Sequence, residues 1–200
     1  DRNSLEDPEK HLPNGKIISQ QQLARLLPGY DANASTGAAV WHDAQVYNTE
    51  RLLISFILSA VDAGAEAINY LEAIDFLWQG NLISGAQVRD IQSGELFNIQ
   101  SRMVINCTGA WIDSLLEKGS LRSEYATSIA MNVIVKSFWS DVAAGLPSQP
   151  VDGRRSQILF FVPWRNKTLI GTWHIPWNDA VDEFKLKDAV VQDFLDEINS

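Results

Sequence analysis

Cysteine is nearly absent from this chain. Its single thiol, Cys107, excludes an intrachain disulfide framework and a metal centre built on clustered cysteines. The three histidines, His11, His42 and His174, are scattered and lack zinc-ligand spacing. Positive charge is also scarce: 16 Lys and Arg stand against 25 Asp and Glu, a formal charge of −9. That balance argues against nucleic acid, because a phosphate backbone needs a basic face. No apolar run approaches the roughly 18 residues of a membrane-spanning helix. No Gly-x-Gly-x-x-Gly fingerprint, P-loop or Gly-x-Ser-x-Gly elbow occurs. Self-contained catalysis is therefore not written in these 200 residues.

What is present is foldable. Hydrophobic content of 46% and charged content of 20% are those of a globular protein, with length for one or two small domains. The polar, proline-bearing opening is expected to be internal to a longer protein. Ser19 is a candidate N-cap for a helix through Leu27, with Leu23, Leu26 and Leu27 inward and Pro28-Gly29 as the stop. Residues 36–46 alternate as a strand. Asn48 then caps the clearest helix, whose Leu52, Leu53, Phe56, Ile57, Ala60 and Val61 form one apolar stripe ended by Gly64. Residues 65–70 are expected as a strand. Short strands follow over 73–78, 83–91, 95–100 and 102–106, with turns at Gln79-Gly80-Asn81 and Gln92-Ser93-Gly94. Farther on, the pattern predicts a long strand over 126–139, a polar loop over 140–154, a hairpin around Arg165-Asn166-Lys167 and an amphipathic helix over 183–198.

Val104-Ile-Asn-Cys-Thr-Gly-Ala-Trp-Ile-Asp113 is the most informative stretch. A β-branched run stops at a small-residue corner, and Trp111, Ile112, Leu115 and Leu116 follow at helical spacing. The expectation is a buried strand, with Cys107 as a small core residue, turning through Gly109 into a helix over 109–117. Such a helix start attracts anions, and a missing Cβ lets a ligand approach the backbone closely. The bland alternative is a glycine that merely permits close helix–strand packing.

Three segments together resemble a family. Gly37-Ala-Ala-Val-Trp-His-Asp-Ala-Gln45, with Glu50-Arg-Leu-Leu53 and Gly64-Ala65…Asn69-Tyr70, is the first. Val104 to Asp113 is the second, and Phe160-Phe-Val-Pro-Trp-Arg165…Thr168-Leu-Ile-Gly-Thr172 the third. In order and spacing they are similar to motifs of the FAD-dependent glycerol-3-phosphate dehydrogenases, a branch of the D-amino-acid-oxidase-like flavoproteins. The chain departs from that pattern at Ala110, at Ile129-Ala-Met-Asn132 and at Trp173-His174, which bears on the substrate more than on the flavin.

The resemblance implies an α+β fold. Residues 48–119 would form a portion of an FAD-binding domain (helix, strands and β-meander). Residues 1–47 and 120–200 would form a portion of a substrate-binding domain with a mostly antiparallel sheet. It implies FAD in the intact parent, met by Ala73, Thr108, Gly109 and Trp111, but not held by this chain alone. It also implies a phosphorylated polyol substrate, a quinone acceptor and a cytoplasmic location, with peripheral association to the inner membrane left open. His42, Asp43 and Arg165 are the candidate substrate residues. The alternatives are satisfied sheet residues for the first two and a solvated turn arginine for the third. Two other readings stay open: a related flavin oxidoreductase acting on another small hydroxy- or amino-substrate, and a non-catalytic binding module on the same scaffold.

Overall fold

A computed structural model describes residues 6–123, 125–139, 142–150, 155–177, 179 and 181–200. The chain divides into two compact units. The first comprises 1–53, 131–173 and 193–200, and the second 54–130 and 174–192.

In the first unit, β1 (Lys16–Ser19) pairs antiparallel with β2 (Gly37–Val40). Between them, α1 (Gln20–Leu26) starts at Ser19, whose hydroxyl accepts from the Gln22 N–H while the Gln22 side chain accepts from the Ser19 N–H. This reciprocal cap is why the helix begins where the sequence places it. Ile18, Leu23, Leu27 and Ala144 are buried together, with Tyr30, Val40, Trp139 and Leu146 against them. Leu26 faces outward, so the inward set is Leu23 and Leu27.

The larger sheet has the order β6-β9-β8-β7, from β6 (Thr127–Lys136), β7 (Ala144–Pro147), β8 (Ile158–Trp164) and β9 (Lys167–Trp177). β8 and β9 form the expected hairpin, longer at both ends. Its two-residue turn places Arg165 and Asn166 at φ 48° and 60°, the mirror-image turn that matches the twist of flanking strands. β6 alternates between half-buried and exposed along its whole length, as its sequence does. The predicted loop over 140–154 contains β7, and its residues 140, 141 and 151–154 lie outside the described set. The C-terminal helix, α4 (Asp188–Asn199), starts later than 183, and Phe184 precedes it. Its Phe194 stacks on Trp173 with centroids 5.1 Å apart, and both side chains are buried.

The second unit is built on the meander of β3 (Leu71–Gln79), β4 (Leu82–Asp90) and β5 (Leu96–Gln100), all antiparallel. The β4–β5 turn is held by Asp90, whose carboxylate accepts from the N–H groups of Gln92 and Ser93. Those bonds hold its carboxyl below the usual aspartate range. Phe76 and Trp78 meet edge to face and pack against the Gly119 backbone. After the meander come a 3₁₀ turn (Gly109–Trp111), the short helix α3 (Ile112–Leu116) and a second 3₁₀ turn (Glu117–Gly119).

Five expectations are corrected here. The strand over 36–46 stops at Val40. Residues 65–70 and 102–106 form no strand: apart from the Tyr70 carbonyl, which accepts from the Ile91 N–H at 2.9 Å, neither run enters a sheet ladder among the described residues. Cys107 is exposed instead of packed in a core. The helix expected at 109–117 is broken into 3₁₀ and α pieces, with only five α-helical residues.

α2 (Thr49–Asp62) is the helix that Asn48 caps, with Arg51 N–H donating to the Asn48 side chain at 2.9 Å and Gly64 following it. Its apolar stripe is uncovered. Leu52, Leu53, Phe56, Ile57 and Val61 are all exposed, Phe56 by 66%.

Candidate functional site

The corner at Gly109 is held open by its neighbours. Asn106 Oδ1 accepts from the Thr108 N–H at 3.2 Å and from the Thr108 hydroxyl at 2.7 Å, and Asn106 Nδ2 donates to the Ile112 carbonyl at 3.1 Å. One carboxamide thus ties the approach to the corner to the first residue of α3. Gly109 itself sits at φ +60°, a conformation glycine adopts without strain, and a Cβ built there meets no atom within 4 Å. Trp111 is about half exposed, and its indole N–H donates to Asp182 at 2.8 Å. Asp113 closes the far side. Its carboxylate accepts from the Ser123 N–H at 2.9 Å, and the Ser123 hydroxyl and N–H hold its carboxyl below the usual aspartate range. A depressed folded value stabilises the fold above the ordinary aspartate range, so this tie is intact at neutral pH and lost only as pH falls below that range.

Thr108 is half-buried, Gly109 and Trp111 are exposed, and space is open beside the Gly109 Cα. The anion-attracting helix start foreseen from the sequence is not built, since α3 is too short to gather a macrodipole. Ala73 lies exposed on β3, paired with Val88 and next to a bulge that leaves Ile74 unpaired.

In the first unit, His42 and Asp43 lie past the end of β2 and are exposed. Asp43 accepts from the Ala44 N–H at 2.8 Å. Neither residue bonds to Arg165. The Arg165 guanidinium lies 5.1 Å from the Tyr47 ring centroid and 4.6 Å from that of Trp164. Glu50 is near enough to feel its charge: its carboxyl is held low first by its own backbone N–H, then by the Thr49 hydroxyl, and least by Arg165. Arg165 is exposed beside both rings, and its guanidinium has the charge and planar donor set that suit a planar or phosphate-like anion.

Sequence reasoning missed Asn106, although an Asn two residues before a Thr-Gly pair is a recognisable side-chain-capped turn. It also missed Asp182, which nothing in the linear pattern connects to a tryptophan 71 residues earlier. A family model described as FAD dependent oxidoreductase matches residues 2–200.

The chain belongs to the FAD-dependent oxidoreductase family.

Among relatives of this family member, a glycerol-3-phosphate dehydrogenase of Synechocystis is 30% identical over 96% of this chain and 36% of its own length. The mitochondrial glycerol-3-phosphate dehydrogenase of Saccharomyces cerevisiae is 26% identical over 94% of this chain and 33% of its own. The chain thus spans about a third of the length of the curated relatives it matches. The α+β fold is that of a glycerol-3-phosphate dehydrogenase from Bacillus halodurans complexed with FAD. The TM-score is 0.72 at 20% identity, covering 92% of this chain and 37% of that one. No helix among the described residues of this flavoprotein-family chain is long and apolar enough to cross a membrane.

Proposed function

We propose that the intact protein oxidises glycerol 3-phosphate to dihydroxyacetone phosphate and passes the electrons to a quinone. The reading is carried by similarity to glycerol-3-phosphate dehydrogenases that runs through nearly the whole chain. When bound, FAD supplies the hydride-accepting chemistry at its N5. Everything else falls to the protein. Thr108, Gly109 and Trp111 would hold the dinucleotide at this corner, and Ala73 would meet its adenine part. Residues 48–119 are the FAD-side portion in this proposal, and residues 1–47 and 120–200 the substrate side. The uncovered stripe of α2 supports packing by further sequence of the intact protein, since an apolar face of that size is normally covered.

Arg165 takes the phosphate. Its guanidinium is always charged, is pre-oriented by Tyr47 and Trp164, and suits an oxyanion bidentately. His42 and Asp43 contribute polar groups at the exit of β2. Arg165→Ala in the full-length protein is expected to raise KM for glycerol 3-phosphate about tenfold, with kcat little changed, since it removes binding common to ground and transition states. Arg165→Lys restores only part of the affinity. Steady-state turnover measures both. Faster turnover of glycine or proline than of glycerol 3-phosphate contradicts the proposed substrate.

A further inference from the structure

Trp111 is tied to a residue that lies 71 positions later in the chain: its indole N–H donates to Asp182 Oδ1 at 2.8 Å. That carboxylate stands on a 3₁₀ turn (Val181–Glu183) that follows β9. Residues 174–192 share the second unit with the Gly109 corner. Within that unit the turn is anchored on both sides. Before it, the Trp177 carbonyl accepts from the Thr127 hydroxyl at 2.7 Å. After it, the Phe184 N–H donates to the Val181 carbonyl at 3.2 Å, and the Phe184 ring meets Trp177 edge to face with centroids 5.5 Å apart. Asp182 thus stands on a segment fastened to the start of β6 and the end of β9.

Trp111 is 48% exposed, so packing alone does not fix its ring. An indole free to turn about its side-chain torsions must be ordered when a ligand comes to rest against it, and that ordering weakens binding. A hydrogen bond to an ionised acceptor orders the ring beforehand. The acceptor is itself an anion, and a carboxylate repels the phosphates of a dinucleotide. Its effect on FAD at this corner therefore runs through the indole.

We propose that Asp182 is a positioning residue for the cofactor corner, holding Trp111 in the orientation in which the ring receives FAD. This role rests on the reading under Proposed function, which puts Trp111 at the dinucleotide. It brings the segment after β9, from the stretch assigned to the substrate side, into the support of the cofactor.

The test is titration of FAD into the full-length apoprotein, followed by flavin fluorescence. Asp182→Ala is expected to weaken FAD binding about fivefold. Asp182→Asn keeps a neutral acceptor for the indole and is expected to recover most of that loss. Trp111→Phe removes the donor and weakens binding by itself. In that background Asp182→Ala is expected to cost nothing further, the non-additivity that marks a shared interaction. Glu183→Ala, on the same turn, is the control and leaves binding unchanged. Thermal unfolding of each variant separates loss of the corner from loss of the fold. A folded Asp182→Ala protein that binds FAD as the parent does overturns the role of Asp182. So does an equal loss from Asp182→Ala with and without Trp111→Phe. Tighter binding by Asp182→Asn than by the parent also overturns it, since the carboxylate would then be a repulsive neighbour. If the coupling is found but glycerol 3-phosphate does not reduce the bound flavin, the proposed reaction fails and the role of Asp182 stands.

Discussion

Glu197→Ala is expected to destabilise the first unit by about 3 kcal/mol, the largest stability effect of any polar substitution proposed for this protein. Glu197 on α4 is only 2% exposed. One carboxylate oxygen accepts from the Ser148 hydroxyl and the other from the Trp173 indole N–H at 2.7 Å. Ser148 is itself buried and accepts from the Gln157 N–H at 3.0 Å, so the three side chains fasten α4, β9 and the β7–β8 connection to one another. Removing the acceptor strands two buried donors and leaves a void beside the Trp173–Phe194 stack. Glu197→Gln tests whether hydrogen bonding accounts for the effect. Its amide oxygen still accepts from the indole, and its NH₂ group can donate to the Ser148 oxygen, so a loss of about 1 kcal/mol is expected. Urea unfolding followed by tryptophan fluorescence reports both. Equal losses for Ala and Gln would show that shape, not acceptor chemistry, holds this part of the fold.

Gly109→Ala in the full-length protein is expected to lower FAD retention about tenfold or more. Gly94→Ala is the matched control. Both glycines have positive φ, and in both an added Cβ meets nothing of the chain within 4 Å, so the two variants carry similar backbone strain, about 1 kcal/mol. Only Gly109 lies on the edge proposed to meet the dinucleotide. The flavin-to-protein ratio after gel filtration should therefore fall for Gly109→Ala and stay near the parent value for Gly94→Ala. Equal retention in both removes Gly109 from the cofactor contact.

Local signals in the sequence were legible where local physics decides the structure. Ser19 and Asn48 mark helix starts because a side-chain oxygen satisfies a backbone N–H that has no helical partner. The meander and the Arg165-Asn166 hairpin follow from turn residues with short reach. β6 declares itself by alternation. What failed was non-local. Residues 65–70 and 102–106 have strand-like composition, but a strand exists only where a neighbour completes its ladder. The stripe on α2 was read correctly as apolar, yet periodicity says nothing about whether a partner covers it.

The candidate site divides in the same way. Thr108, Gly109 and Trp111 were found as a contiguous motif. Asp182 is joined to Trp111 only by a pairing across 71 residues. The sequence offers Arg165 as a candidate substrate residue with a solvated turn arginine as the alternative, and a hairpin signal alone does not foretell the rings of Tyr47 and Trp164 beside it.

The edge at Gly109 is proposed to belong to a flavoprotein that oxidises glycerol 3-phosphate. The most direct measurement is anaerobic addition of glycerol 3-phosphate to the purified full-length protein, followed at the visible absorbance of the flavin. The purified protein is expected to carry flavin whose bands bleach on addition. Full-length protein free of flavin, or flavin bands indifferent to glycerol 3-phosphate, would contradict it.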